Sequence, residues 1–347
     1  MRKWLLILAL AGCLIVVGCS GGSEEAGRGD GGEDDGGDAE STKPLIGSDL
    51  GHQAFQSSTR LVVPDGVGTT FDRVGRVLAG VAEGTLGVRM FVNQRPGEEG
   101  FVAWRDVAAE EPEGHQLAYV TEGLLDTGEI GPEDFEMVAQ TDRGFAVLVA
   151  KGDPEIETLQ GDDLDDFGDF VKGAREDPGF MEVADMGPET VYRAGTLELE
   201  DELGVDLSPK SPAHKSPVEA IYDGDVETAL VPLDWNLYGD LLAGELTPLA
   251  VLAGRRTPEL PEVPTAKELG YKVSVPVFGG VVAPAGTPSD VVQELGRAFV
   301  GASSSRAFQR ALLGTGREPE QKGPEKFRAY IDRQTELVEQ TNPPEEQ

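Results

Sequence analysis

From residue 60 to residue 338 the chain alternates short apolar runs with stretches whose apolar positions recur every three or four residues. Arg60-Leu61-Val62-Val63 is an apolar run stopped by Pro64. Phe71, Val74, Leu78 and Val81 follow at helical spacing, which marks one face of an amphipathic helix. Residues 88–92 read as the next strand, 101–109 as a helix and 116–120 as a third strand. Residues 145–150 form a continuous apolar run, the mark of a strand buried on both faces. Further on, 164–174 reads as a helix, 181–184 as a strand, 218–222 as a helix and 228–231 as a strand. Residues 237–243 are a helix and 249–252 a strand, and 275–283 are a strand broken by Gly279-Gly280. Ser289 and Asp290, after Pro288, cap a helical tail that opens at 289–301 and closes at 327–338. Strands alternating with helices predict the α/β class with mostly parallel sheets.

The ends of the chain break this alternation. Arg2 and Lys3 precede an apolar run from Trp4 to Val17, and a polar glycine-rich tract begins at Ser20. A basic start, a short apolar core and a small residue before the cleavage point make a secretory signal. The run is shorter than the roughly 20 residues a membrane span requires. Gly18-Cys19 places a cysteine directly after a small residue, the pattern of a bacterial lipoprotein signal, in which the thiol is acylated and becomes the new N-terminus. Gly12-Cys13 fits the same box but leaves too little apolar core before it. The expectation is a leader at 1–18, lipidation at Cys19 and a disordered acidic tether at 19–54. Residues 20 to 43 are nearly all Gly, Asp, Glu and Ser and cannot bury a core. A coil of that length spans on the order of 25–30 Å. Residues 341–347 read as a frayed tail.

Composition narrows the chemistry. The 347 residues suffice for two domains with real cores. Once the leader is removed, Cys19 is the last cysteine, so disulfides, cysteine-ligated metals and a cysteine nucleophile are excluded. His52, His115 and His214 have no metal-site spacing, and no cofactor or metal is expected. The net charge of −34, from 63 acidic and 29 basic residues, argues against nucleic acid and against attraction to anionic lipid.

In open α/β sheets ligands sit beyond the carboxyl ends of strands, where helices begin. Three such loops stand out. The first runs Pro64-Asp65-Gly66-Val67-Gly68-Thr69-Thr70-Phe71-Asp72, where the glycines admit close approach and the threonines open a helix. It is neither a Walker loop nor a dinucleotide fingerprint. The second is Thr121-Glu122-Gly123 and the third Met186-Gly187-Pro188-Glu189-Thr190. Together they would present two facing sets of N–H donors, suited to a small carboxylate. The candidate ligand-binding residues are Gly66, Val67, Gly68, Thr69, Thr70, Asp72, Thr121, Glu122, Gly123, Gly187, Thr190 and Asp234.

These segments resemble a family. Arg60-Leu61-Val62-Val63-Pro64 with Gly68 and Asp72 is similar to its first strand and ligand loop. Asn93-Gln94-Arg95-Pro96-Gly97 resembles its Asn-Arg-Pro-Gly turn with one residue inserted. Leu260-Pro261-Glu262-Val263-Pro264-Thr265 and Ala283-Pro284-Ala285-Gly286-Thr287-Pro288 resemble its most specific motifs. The family is the extracytoplasmic solute receptors of tripartite tricarboxylate transporters, the Bug-type receptors, and the resemblance spans residues 60 to 338.

The resemblance implies a two-domain periplasmic-binding-protein fold with a hinge and a central cleft. Residues 55–142 with 275–340 would form one domain and 143–274 the other. It implies a monomeric, non-enzymatic receptor, lipid-anchored outside the cytoplasmic membrane. This receptor captures a di- or tricarboxylate, or an amino-acid-like solute, largely through backbone N–H groups and bound water, and hands it to the transporter's membrane subunits; the loops read above agree, supplying N–H donors without needing Arg or Lys. A sensor or scaffold on the same fold, or a tethered hydrolase, are the alternatives. The chain departs from the family pattern at Asp65, Pro188 and Glu189. A cationic group on the ligand, paired with Asp234 beside Trp235, is one reading of those acids.

Overall fold

The computed structural model describes residues 58–126, 129–152, 166–179, 181–212 and 215–341. The leader, Cys19, the tether, His52, His214 and residues 342–347 lie outside the described residues. Among the described residues no helix is long and apolar enough to cross a membrane.

The chain begins with β1 (Thr59–Val63), α1 (Thr70–Leu86), β2 (Met90–Gln94), α2 (Phe101–Ala108), β3 (Gln116–Thr121) and β4 (Phe135–Arg143). It continues through β5 (Ala146–Lys151), α3 (Phe167–Glu176), β6 (Glu182–Ala184), α4 (Val191–Leu203), β7 (Ser208–Lys210) and α5 (Pro217–Asp223). Next come β8 (Thr228–Pro232), α6 (Trp235–Ala243), β9 (Leu246–Val251) and β10 (Phe278–Pro284). The last elements are α7 (Ser289–Ser303), α8 (Arg306–Ala311), β11 (Glu318–Lys322) and α9 (Pro324–Thr341). Among the described residues two sheets result, one of six strands in the order β11-β4-β10-β3-β1-β2 and one of five in the order β7-β6-β8-β5-β9.

The sheets are mixed rather than mostly parallel. β1, β2 and β3 pair in parallel, as do β6, β7 and β8, because helices connect them. The antiparallel pairs arise where the chain crosses between sheets. Only Gly144 and Phe145 separate β4 of the first sheet from β5 of the second, and residues 252–277 carry the chain back from β9 to β10. The crossing strands enter against their neighbours: β10 runs antiparallel to β3 and β4, and β5 to β8 and β9. The two crossing segments touch, with Gly144 N–H donating to Val277 O at 2.9 Å.

Helix α1 shows how local sequence sets these elements. Thr69 caps it by accepting from Asp72 N, and Gly87 ends it in the left-handed region, its N–H bonded to Glu83 O. Val74, Leu78, Ala82 and Leu86 recur on the buried face and pack with Leu61 and Val63 of β1. Each such aliphatic side chain contributes about 1.5–3 kcal/mol on full burial.

The sequence pattern missed β4, α4, β7, α8 and β11. The last three residues before Arg143 in β4 are Gln140, Thr141 and Asp142, polar groups that read as a loop yet are no more than 1% exposed. The glycine pair does not break β10, which runs through Gly279 and Gly280 with a shift of register. The glycines are there for space. A Cβ on Gly279 would lie 1.9 Å from Tyr119 Oη and 2.5 Å from Asp142 Oδ2, the two atoms joined by a 2.7 Å hydrogen bond. Gly279→Ala is therefore expected to destabilise the protein by about 1–3 kcal/mol through overpacking. The loss should be smaller in a Tyr119→Phe background, where the colliding hydroxyl is gone. A double-mutant cycle by denaturant unfolding measures the difference, and additive effects would contradict this reading.

Candidate functional site

A cleft of about 580 Å³ opens where loops of the two sheets meet. Asp65, Gly68, Thr69, Thr70, Phe71 and Arg73 line it from the β1–α1 connection, and Thr121 and Glu122 from the end of β3. The opposite side is Pro232 to Asn236, between β8 and α6, and the remaining wall is Thr315 and Arg317, just before β11. β1, β3 and β8 all point their carboxyl ends at it, the position expected for an α/β ligand site.

Six of the twelve candidate residues line this cleft: Gly68, Thr69, Thr70, Thr121, Glu122 and Asp234. Gly66, Val67, Asp72, Gly123, Gly187 and Thr190 do not. Gly66 and Asp72 shape the loop: Gly66 O accepts from Thr69 Oγ1 at 2.8 Å, and Asp72 Oδ2 accepts from Gly68 N at 2.8 Å. Asp72 Oδ1 takes Gln94 Nε2 at 2.5 Å and pairs with Arg76 at 2.9 Å, so the carboxylate is fully engaged. Gly68 sits at φ 88°, a backbone that favours glycine. Val67 is 77% exposed on the loop's outer side.

The Gly187 loop does not line the cleft. Asp185 grips Arg193 with both oxygens, at 2.5 and 3.1 Å, and also takes the Gly187 N–H at 3.0 Å. Thr190 serves as the N-cap of α4, accepting from Arg193 N. Glu189 is exposed. The second side of the cleft is built instead by the start of α6, where Asp234 caps the helix by accepting from Leu237 N at 2.8 Å.

The cleft is rich in donors. At the start of α1 the N–H groups of Thr70 and Phe71 have no acceptor among the described residues, nor do those of Trp235 and Asn236 at the start of α6. Each helix N-terminus adds a partial positive charge. The acids of the lining are engaged by the protein itself: Asp65 accepts from Gly66 N at 2.7 Å, and Glu122 from Tyr192 Oη at 2.8 Å and Phe278 N at 3.3 Å.

Among the lining residues outside the candidate set are two arginines, the exposed Arg73 and the buried Arg317. Arg317 is 7% exposed, its Nε donates to Asp142 Oδ1 at 2.6 Å, and its guanidinium lies 5.3 Å from the centre of the Phe71 ring. Burial works against its charge, but the neighbouring groups together, Asp142 first among them and Glu122 with it, raise its pKa above the ordinary value. The one local signal was a lone basic residue in Gly314-Thr315-Gly316-Arg317, in a chain poor in basic residues. Among the described residues no cluster of His, Cys, Asp and Glu has the arrangement of a metal site.

Beside the cleft, Asp126 accepts from Val191 N at 3.1 Å, at the start of α4. Burial, with the charges of Glu122, Glu99 and Glu189 nearby, raises its carboxyl from 3.8 to about 8. Between those pH values the folded protein holds a proton that the unfolded chain has lost, so stability falls as pH rises. The slope approaches about 1.4 kcal/mol per pH unit where the two states differ by a full proton. Asp126→Asn keeps an acceptor for Val191 and is expected to flatten the decline in melting temperature from pH 5 to pH 8. An unchanged profile would show that Asp126 is ionised throughout. Gly68→Ala, strained at its positive φ, is expected to cost about 1–3 kcal/mol, and thermal unfolding checks it.

A family model described as the tripartite tricarboxylate transporter family receptor matches residues 74–340. A Cupriavidus necator protein, the UPF0065 protein in the gbd 5′ region, is 27% identical over 271 residues, covering 76% of this chain and 80% of that one. A TctC solute-binding protein from Polaromonas has the same fold, with a TM-score of 0.67 at 23% identity over 82% of this chain and 98% of that one. MatC from Rhodopseudomonas palustris, solved with bound malate, superposes with a TM-score of 0.62 at 25% identity over 83% of this chain and 99% of that one. The chain belongs to the tripartite tricarboxylate transporter receptor family, with its periplasmic-binding-protein fold.

Proposed function

We propose that this protein is a solute receptor that holds a small carboxylate in the cleft between its sheets and delivers it to the membrane subunits of a transporter. The observation that carries this is the donor set. Four helix-start N–H groups without acceptors and one buried guanidinium surround a cavity whose own acids are already engaged. Such a set suits a carboxylate, whose oxygens accept several N–H bonds at once. The malate bound to MatC supports the same class of ligand.

Residues 55–142 with 275–340 and residues 143–274 act as the two domains, closing on the ligand about the paired crossings at Gly144 and Val277. Gly68, Thr69, Thr70 and Thr121 hold the ligand from one side and the start of α6 from the other. Residues 1–18 act as a leader and Cys19 as the lipid anchor, with the acidic segment as a tether. Tethering keeps the receptor at high local concentration beside its transporter.

A thermal-shift screen of the chain against malate, succinate, adipate, citrate and glutamate tests the receptor reading. A ligand at 100 times its Kd adds about 2.7 kcal/mol to stability, so at least one carboxylate is expected to raise the melting temperature by several degrees. If neutral sugars shift it and no carboxylate does, the reading is wrong.

A further inference from the structure

We infer that Arg317 is the residue that selects for a carboxylate in this cleft, docking one carboxylate of the ligand in the corner between its guanidinium and the start of α1. The inference rests on the receptor reading and deepens it.

Three observations converge on that corner. Arg317 carries positive charge in the cleft wall with its side chain 94% removed from solvent, since 6% remains exposed. Its Nη2 is buried with no hydrogen-bond partner, a costly state for a cationic donor and one that a small turn of the side chain toward an oxygen in the cleft would relieve. Its position is fixed from two sides. Asp142 holds Nε, and that carboxylate is itself held by Tyr119 Oη at 2.7 Å and Thr141 Oγ1 at 2.9 Å. Phe71 offers its ring face at 5.3 Å. Phe71 also follows Thr70 in the first turn of α1, so the free N–H groups and the guanidinium belong to one corner.

The chemistry follows from the geometry. A guanidinium is planar and presents its donors as a rigid fork that matches a carboxylate. With Nε committed to Asp142, a terminal nitrogen remains for the ligand. Lysine has one nitrogen in place of three and cannot hold Asp142 and the ligand from two fixed directions, and an amide in place of the ligand's carboxylate loses the charge and turns one acceptor into a donor. The start of α6 has no such cation and carries the Asp234 carboxylate as its cap, so the two sides of the cleft are unlike. Glu122 lies near enough to Arg317 for its charge to act on the guanidinium, but like Asp65 and Asp234 it bonds to the protein's own N–H and O–H groups.

Isothermal titration of the full chain tests the assignment, with the carboxylates of the thermal screen as probes and the amide of each binder beside it. The amide is expected to bind at least 100-fold more weakly. Arg317→Lys, which keeps a charge opposite Asp142, is expected to fold and to bind 10-fold or more weakly. The paired Asp142→Asn and Arg317→Gln substitutions leave no orphaned charge and are expected to reduce affinity by 100-fold or more. If the folded Arg317→Lys protein binds within 3-fold of the unaltered protein, and amide and carboxylate bind alike, Arg317 is a structural ion-pair partner only and the inference fails. If the unaltered protein binds no carboxylate at all, it is the receptor reading that fails. Should the paired variant not fold, Arg317→Lys and the amide comparison still decide between these outcomes.

Discussion

The Asp142 carboxylate, fully buried at the end of β4, is the constraint around which this molecule is arranged. Three donors converge on its two oxygens: the Arg317 guanidinium, the Tyr119 hydroxyl and the Thr141 hydroxyl. An isolated carboxylate in such a place is very unfavourable, and only a full set of charge-assisted hydrogen bonds makes it tolerable. The requirement spreads outward. Tyr119 must bring its ring under β10, so β10 must carry a glycine at position 279. Arg317 must reach a partner 175 residues earlier in sequence, so the segment entering β11 must lie at the edge of the first sheet beside β4. Breaking a buried pair of this kind by removing one partner typically costs about 3–5 kcal/mol.

The same arrangement builds the cleft. β4 is the strand from which the chain passes to the second sheet, with Gly144 and Phe145 as the link. The Leu233 N–H donates to Phe145 O at 2.7 Å, which ties the loop carrying Asp234 and Trp235 to the crossing point. Trp235 in turn packs against Gly314, in the segment that leads to Arg317. The wall, the far side and the crossing are thus a connected set of contacts, and the cavity is what they leave open.

Much of this was legible in the sequence. The alternation of apolar runs and helical periodicity located most strands and helices, because buried strands and amphipathic helices leave different periods. The loops after β1 and β3 announced themselves by Gly and Thr at a strand's carboxyl end. The same signature at Gly187 and Thr190 caps α4 and does not line the cleft, in a loop braced by the Asp185–Arg193 pair. Nothing local distinguishes the two cases. The polar end of β4 was illegible because Gln140, Thr141 and Asp142 look solvated until their distant partners are in place. Arg317 was missed for that reason too: its meaning lies in Asp142 and Phe71, neither of them near it in sequence. The loops alone suggested a site that needs no Arg or Lys, whereas the lining of the cleft includes Arg73 and Arg317.

The cleft's asymmetry bears on how a cargo would leave. Arg317, Thr70 and Phe71 all belong to the half of the molecule built on the six-stranded sheet, while the other half contributes a capped helix start and a tryptophan. Were the halves to part, an anion would stay behind with the charged half, exposed on one face but not yet free. On the proposed function, release would then take two steps. The opening motion would uncover the cargo, and a competing cation or donor on the recipient would have to draw it off the guanidinium.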